Sequence, residues 1–453
     1  MIHFHGFHYW CEFDACAAKF YRYSVVTATV PEPDLDAISP PCFDLTLSEQ
    51  TTMTARDGYQ AMAQGDGAHP GDVIATLGAL PLTDLLEMVR ARRDEFDERG
   101  HVTRDMVLQM KRAGIYRAST PQRFGGDARA PAEFLRILEK IAIVDGSTAW
   151  VAAFGSANVY LAALPLDTQE AIYRTGPDQV FAGGLYPLQP AERVEGGWQV
   201  SGQWHFASGC KGADWHGVGI GGTAASGGGA AAGKPLTAVF RAGTLEIVDN
   251  WDVFGMEGTG SHDLKATGQF VADPWTFTRG TSALIDEPLY RYPAVSYQAQ
   301  VHAACNVGIA RAALDKIIEM SGGTKTTTGA PRLADRAYYR SALAKAEAQW
   351  HGARAFFYDA AESAWETILA GDPVSQEQAN LLRLSAVHAA RTCADIVQEA
   401  HRLGGIAAIY RKHPLQKMVR DAMVVTQHAF LNEAVYDGAG SLFVGIPPNM
   451  PYP

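Results

Sequence analysis

His428 closes the stretch "RDAMVVTQH", eight positions after Arg420 and in otherwise apolar company. An imidazole titrates near neutrality, so in a dry pocket it can give or take a proton. Alone in such a stretch a histidine is more often a core or capping residue than a catalyst, and the residue itself does not decide which this one is. Ser208 lies near the end of a second chemistry-bearing run, "WQVSGQWHFASG", where Trp198, Val200, Gly202, Trp204, Phe206 and Ser208 alternate as one strand face. That face would set a hydroxyl beside an aromatic wall. Trp150 and Asn158 stand eight apart in a helical pattern, which turns both toward one side.

Other candidates carry less. His3, His5, His8, Cys11 and Cys16 crowd the start of the chain but match no zinc spacing, so no metal is expected. "GGAAAGKP" at 228–235 nearly spells a phosphate loop, yet Pro235 replaces the magnesium-holding hydroxyl and a strand follows. "GVGIGG" at 217–222 satisfies GxGxxG formally and leads into no helix. A nicotinamide-dinucleotide site is therefore not expected.

The elements that position these residues fall into three blocks. Helical periodicity covers about 82–164, with Leu82, Leu85, Leu86 and Val89 on one stripe and Gly100 as a stop. A second stripe there is Phe134, Leu135, Leu138, Ile141 and Ala142. Short alternating runs separated by Gly and Asp fill about 180–277 and predict a small antiparallel barrel or sandwich. From about 296 to 436 four long helical segments predict an up-down bundle, with Gly404-Gly405 a natural C-terminal stop. Residues 1–75 lack sustained periodicity, and the first 52 precede Met53 as an extension expected to lie outside the fold.

Composition bounds the function class. The chain has 453 residues, 47% of them hydrophobic and 19% charged, and a net charge of -11 with no basic block. Nucleic acid and anionic membrane are thus poor partners. No apolar run is long enough to span a bilayer. Six scattered cysteines without a CxxC pair fit a reducing cytoplasm.

In this order the motifs "PQRFGG" (121–126), "DGSTAW" (145–150), "VSGQWHFASG" (200–209), "WDVFGMEGTGSHDL" (251–264), "HRLGG" (401–405) and "PLQKMVRDAMVVTQH" (414–428) resemble the acyl-CoA dehydrogenase fold. Within it they look most like the oxygenase components of two-component flavin-dependent monooxygenases, such as 4-hydroxyphenylacetate hydroxylases. The resemblance implies an α+β chain: an N-terminal helical domain (76–178), a middle antiparallel β domain (179–285) and a C-terminal four-helix bundle (286–453). Many acyl-CoA dehydrogenases carry a catalytic Glu where this chain has Ala429, which removes the base from that place.

The monooxygenase resemblance implies reduced FMN or FAD supplied by a separate flavin reductase, and O2 as co-substrate, reacting through a C4a-hydroperoxyflavin. It implies a small aromatic substrate and a homotetramer. It makes His428 and Ser208 catalytic, with the Ser208 hydroxyl at the flavin N5 locus. Trp204, Phe206, Ser208, Gly209, Gly404 and Gly405 would border the cofactor. Phe124, Trp150, Asn158 and Gly183 would border the substrate. Relatives acting on phenols often have His at the position of Asn158 and Ser at that of Gly183, so an indole-like compound is expected over a phenol. A dehydrogenase with a relocated base, and a non-catalytic flavin- or ligand-binding member, are the alternatives.

Overall fold

The computed structural model describes residues 77–222, 235–322 and 331–448. The N-terminal extension with its His and Cys cluster, and most of the Gly/Ala loop at 223–234, lie outside the described residues. Six helices open the described chain: α1 (Leu82–Arg99), α2 (Arg104–Arg112), α3 (Pro131–Val144), α4 (Gly146–Ala152), α5 (Asn158–Leu161) and α6 (Leu166–Tyr173). Leu85, Val89 and Phe96 form the buried stripe of α1, and Gly100 ends it at φ 64°. A side chain is strained in that left-handed conformation. Asp145 both ends α3 and caps α4, its carboxylate accepting from the Thr148 amide at 2.7 Å. The predicted single helix through Trp150 and Asn158 is in fact broken: a 3-10 turn at Ala153–Ser156 separates α4 from α5.

Seven strands follow: β1 (Phe181–Val194), β2 (Gly197–Trp204), β3 (Trp215–Gly222), β4 (Leu236–Arg241), β5 (Glu246–Val248), β6 (Asp263–Ala272) and β7 (Thr276–Thr278). They form one sheet in the order β5-β6-β2-β1-β3-β4-β7. The expected all-antiparallel pattern holds except in the middle, where β1 and β3 run parallel. The segment between β2 and β3 folds as a turn and a short 3-10 helix, which brings β3 back beside β1 in the same direction. "GVGIGG" forms the last six residues of β3, where Gly217 and Gly219 pack closely against Phe181 and Leu185 of β1, so it makes a strand and not a phosphate turn.

The C-terminal helices are α7 (Ala294–Ser321), α8 (Ala337–Leu369), α9 (Gln376–Gly404), α10 (Pro414–Val425) and α11 (Ala434–Phe443). Three are long and two short, rather than four long. Almost every residue of α7 from Ser296 to Leu314 is buried, because α3 packs on one side and α9 on the other. Ser375 starts α9 with a reciprocal capping box to Gln378. The apolar circumference of α9 is covered within this chain by α7, α8, α10 and α11.

Candidate active site

β2 ends at Trp204, and the predicted alternation ends with it. The Trp204 ring is fully buried in the sheet core, its Nε1 donating to the Gly219 carbonyl at 2.7 Å. It is therefore a structural anchor and not a pocket wall. The chain then turns through Phe206, at φ 63°, and Gly209, at φ 70°. Phe206 stands 69% exposed in the left-handed region, an apolar ring held out to solvent at a conformational cost. The turn presents Ser208 to α4, where the Trp150 indole Nε1 donates to Ser208 Oγ at 3.3 Å.

Around Trp150 stand two imidazoles. Its ring centroid lies 4.2 Å from that of His302 and 5.4 Å from that of His428, and the two imidazoles are 4.6 Å apart. Phe154 and Phe430 extend the cluster, 6.4 Å from His302 and 5.2 Å from His428. Thus α4, α7 and the turn after α10 each contribute a ring to one place. His302 comes from the apolar "QAQVHAACNV" of α7 and was not singled out by sequence reasoning. Its only local signal is the i,i+4 relation to Gln298, whose carbonyl accepts the His302 Nδ1 proton at 2.6 Å.

The electrostatics follow from this enclosure. Burial, with a smaller contribution from the Arg383 charge, pushes the His428 pKa down to about 4. Burial and the neighbouring His428 hold His302 well below the usual histidine range. Both rings are neutral at neutral pH. His428 Nδ1 accepts the Phe430 amide at 3.3 Å, so its proton sits on Nε2. His302 spends its Nδ1 proton on Gln298, so its Nε2 carries a lone pair. The cluster thereby sets one N–H donor and one nitrogen acceptor side by side.

Several expected site residues serve packing. Asn158 is fully buried and its amide donates to the Tyr116 carbonyl, Thr120 Oγ1 and the Gln179 carbonyl at 2.9–3.3 Å. Its Nδ2 ties helices to the strand entrance, its Oδ1 is buried without a protein partner, and the 3-10 turn breaks the single helix face expected from spacing. A Cβ at Gly183 would lie 2.3 Å from the Gly217 carbonyl, so glycine is required by the β1–β3 approach rather than by substrate choice. Phe124 stacks on Tyr173, ring centroids 5.0 Å apart, in a cluster at the α6 side. Gly404 is buried at the end of α9, where a Cβ would meet Leu415 and Ala408 at 2.8 and 2.9 Å. Gly405, at φ 58° and ψ -147°, is exposed and occupies backbone space that only glycine enters readily.

The donor set suits a planar aromatic cofactor. Phe206 offers an exposed aromatic face, and Ser208 Oγ offers a hydrogen-bonding group joined to the imidazole pair through Trp150. Residues 85–171 match the acyl-CoA dehydrogenase N-terminal domain and residues 300–433 the acyl-CoA dehydrogenase C-terminal domain. An indole-3-acetate monooxygenase of Pseudomonas putida is 48% identical over 359 residues, which cover 79% of this chain and 91% of the relative. A namesake from Acinetobacter baumannii is 39% identical, covering 82% and 95%. The solved structure of XiaF from Streptomyces sp., in complex with FADH2 and glycerol, shares the fold at a TM-score of 0.75 and 21% identity, covering 82% of this chain and 98% of that one. The chain belongs to the flavin-dependent monooxygenases of the acyl-CoA dehydrogenase superfamily.

Proposed function

We propose that this chain is an oxygenase component that inserts one oxygen atom into indole-3-acetate or a close indole acid, using reduced FMN or FAD and O2. The observation that carries the reading is the 48% identity across nine-tenths of an indole-3-acetate monooxygenase. The neutral, ring-lined cluster of Trp150, His302 and His428 supports it, since such a place suits a neutral aromatic nucleus better than a phenolate.

The Ser208 turn would hold the reduced flavin, which when bound would supply the electrons that activate O2. The exposed Phe206 ring would pack against the bound flavin and shield that face from water. Trp150 holds Ser208 in place through its indole N–H. His428 holds a proton at Nε2 that it can hand to a developing anion, and His302 offers Nε2 as the acceptor beside it. The turn at Thr426–Leu431 carries this imidazole and Ala429, with no carboxylate to serve a dehydrogenase.

The GxGxxG-like segment lies within β3 and opens no helix, so electrons are assigned to a separate flavin reductase. A homotetramer is proposed as well. Ile406, Ile409 and Tyr410, which follow α9, are 76%, 61% and 67% exposed and would be covered by another copy.

The test adds chemically reduced flavin anaerobically, then O2 and indole-3-acetate, and follows product mass and oxygen uptake. A product heavier by one oxygen is expected, with NADH unable to replace reduced flavin until a reductase is present. Flavin bleaching by an acyl-CoA, with no oxygenated indole under any condition, would overturn the reading.

A further inference from the structure

Behind Ser208 runs a chain of hydroxyls that the proposed reaction has not used. Ser208 Oγ lies 2.6 Å from Ser261 Oγ, Ser261 Oγ lies 2.7 Å from Thr259 Oγ1, and Thr259 Oγ1 lies 2.8 Å from the Met256 carbonyl. All three side chains are buried. Each contact is too short to exist without a proton between the oxygens, and each hydroxyl has one proton to give.

The direction of the chain follows from its far end. A carbonyl only accepts, so Thr259 must donate to Met256. Thr259 then has no proton left for Ser261, so Ser261 donates to Thr259. Ser261 in turn has none for Ser208, so Ser208 donates to Ser261. The indole N–H of Trp150 can only donate, and it fills one lone pair of Ser208 Oγ. What Ser208 retains for a ligand is its second lone pair.

We propose that Ser261 and Thr259 make the flavin site selective for the reduced cofactor, by committing the Ser208 proton inward and leaving Ser208 an obligate acceptor. The inference rests on the reading that flavin N5 lies at Ser208. Reduced flavin carries a proton on N5 and meets the lone pair with an N–H. Oxidised flavin carries a lone pair on N5, and two lone pairs then face one another. Reversing the chain would require three hydroxyls to turn together and would leave Thr259 and Met256 oxygen against oxygen. A carrier that arrives reduced and must leave oxidised is served by such a bias.

The experiment measures dissociation constants of the full chain for FMN and FAD, each oxidised and each dithionite-reduced under argon. The quantity read is the ratio of oxidised to reduced. Ser261→Ala frees the Ser208 proton for the oxidised N5, and the ratio should fall roughly 2- to 13-fold, the scale of one hydrogen bond regained. Thr259→Val should move it the same way, and Thr259→Ser should keep the wild-type ratio. An unchanged ratio in Ser261→Ala and Thr259→Val, with Ser208→Ala still lowering it, overturns the hydroxyl chain while leaving the flavin placement intact. Ser208→Ala with both constants unchanged overturns the placement and the inference together.

Discussion

His428 decides between catalyst and packing by its company. Its imidazole touches Trp150, His302 and Phe430, and its proton is directed to Nε2 by a backbone amide. His428→Ala should lower the hydroxylation rate roughly 10²–10⁴-fold, the usual contribution of a positioned acid or base. Product formed per oxygen consumed should fall with it, while flavin affinity changes little. Full coupling at near wild-type rate would return His428 to a packing role. The two imidazoles also set an acid limit on stability. Both folded values lie below the ordinary 6.5, His428 at about 4, so above pH 6.5 neither fold nor unfolded chain is protonated. Between 6.5 and 4 the unfolded chain gains protons that the fold refuses, and stability is lost as pH falls. A His302→Asn, His428→Asn double variant should lose less stability than wild type between pH 7 and 4.5 in denaturant titrations.

Between elements, two junctions carry strain and charge. The parallel β1–β3 pair brings Gly183 against the Gly217 carbonyl, so Gly183→Ser should destabilise the fold by about 1–3 kcal/mol through overpacking. A variant as stable as its parent in thermal melts, and newly active on phenols, would restore the substrate reading of this glycine. The second junction is Lys417 of α10, whose Nζ lies 2.5 Å from Asp421, 3.3 Å from Asp97 and 3.6 Å from Asp145. One lysine thus joins α1, the α3–α4 corner and α10. Burial would lower its pKa, but the three carboxylates outweigh it and raise it. Lys417→Met keeps much of the volume and leaves three enclosed carboxylates without their cation. A loss of about 3–5 kcal/mol is expected at pH 7, read by urea unfolding. A shift below 1 kcal/mol would mean that water already serves these carboxylates.

At the scale of the molecule, two groups of exposed apolar side chains lie at the ends of C-terminal helices. Ile406, Ile409 and Tyr410 follow α9, and Phe443, Val444 and Ile446 end and follow α11. Large apolar groups gathered in this way mark association surfaces. Sedimentation at micromolar protein is expected to give a tetramer, and Ile406→Asp with Tyr410→Asp should shift it toward smaller species. A wild-type chain that sediments as a monomer at that concentration would contradict the assembly. Among the described residues no helix is long and apolar enough to cross a membrane.

What the sequence determined by itself was what repeats locally. The α1 stripe of Leu85 and Val89, the Gly100 and Gly404 stops, and the switch to strands after residue 180 follow from side-chain periods of 3.6 and 2. His428, Ser208 and Trp150 were also legible, because they sit in motifs whose order carries the superfamily resemblance. Tertiary structure decided everything that depends on which way a side chain finally turns. Trp204 and Phe206 read alike as one strand face, yet a left-handed residue after β2 buries the first and exposes the second. Trp150 and Asn158 read as one helix face, yet a 3-10 turn between them sends the amide to three structural oxygens. His302 lies in none of those motifs, and Ser261 and Thr259, though inside the 251–264 motif, have no spacing that points to Ser208. They matter through partners on other elements or across a buried turn, and spacing along a chain does not encode a contact that only the closed core creates.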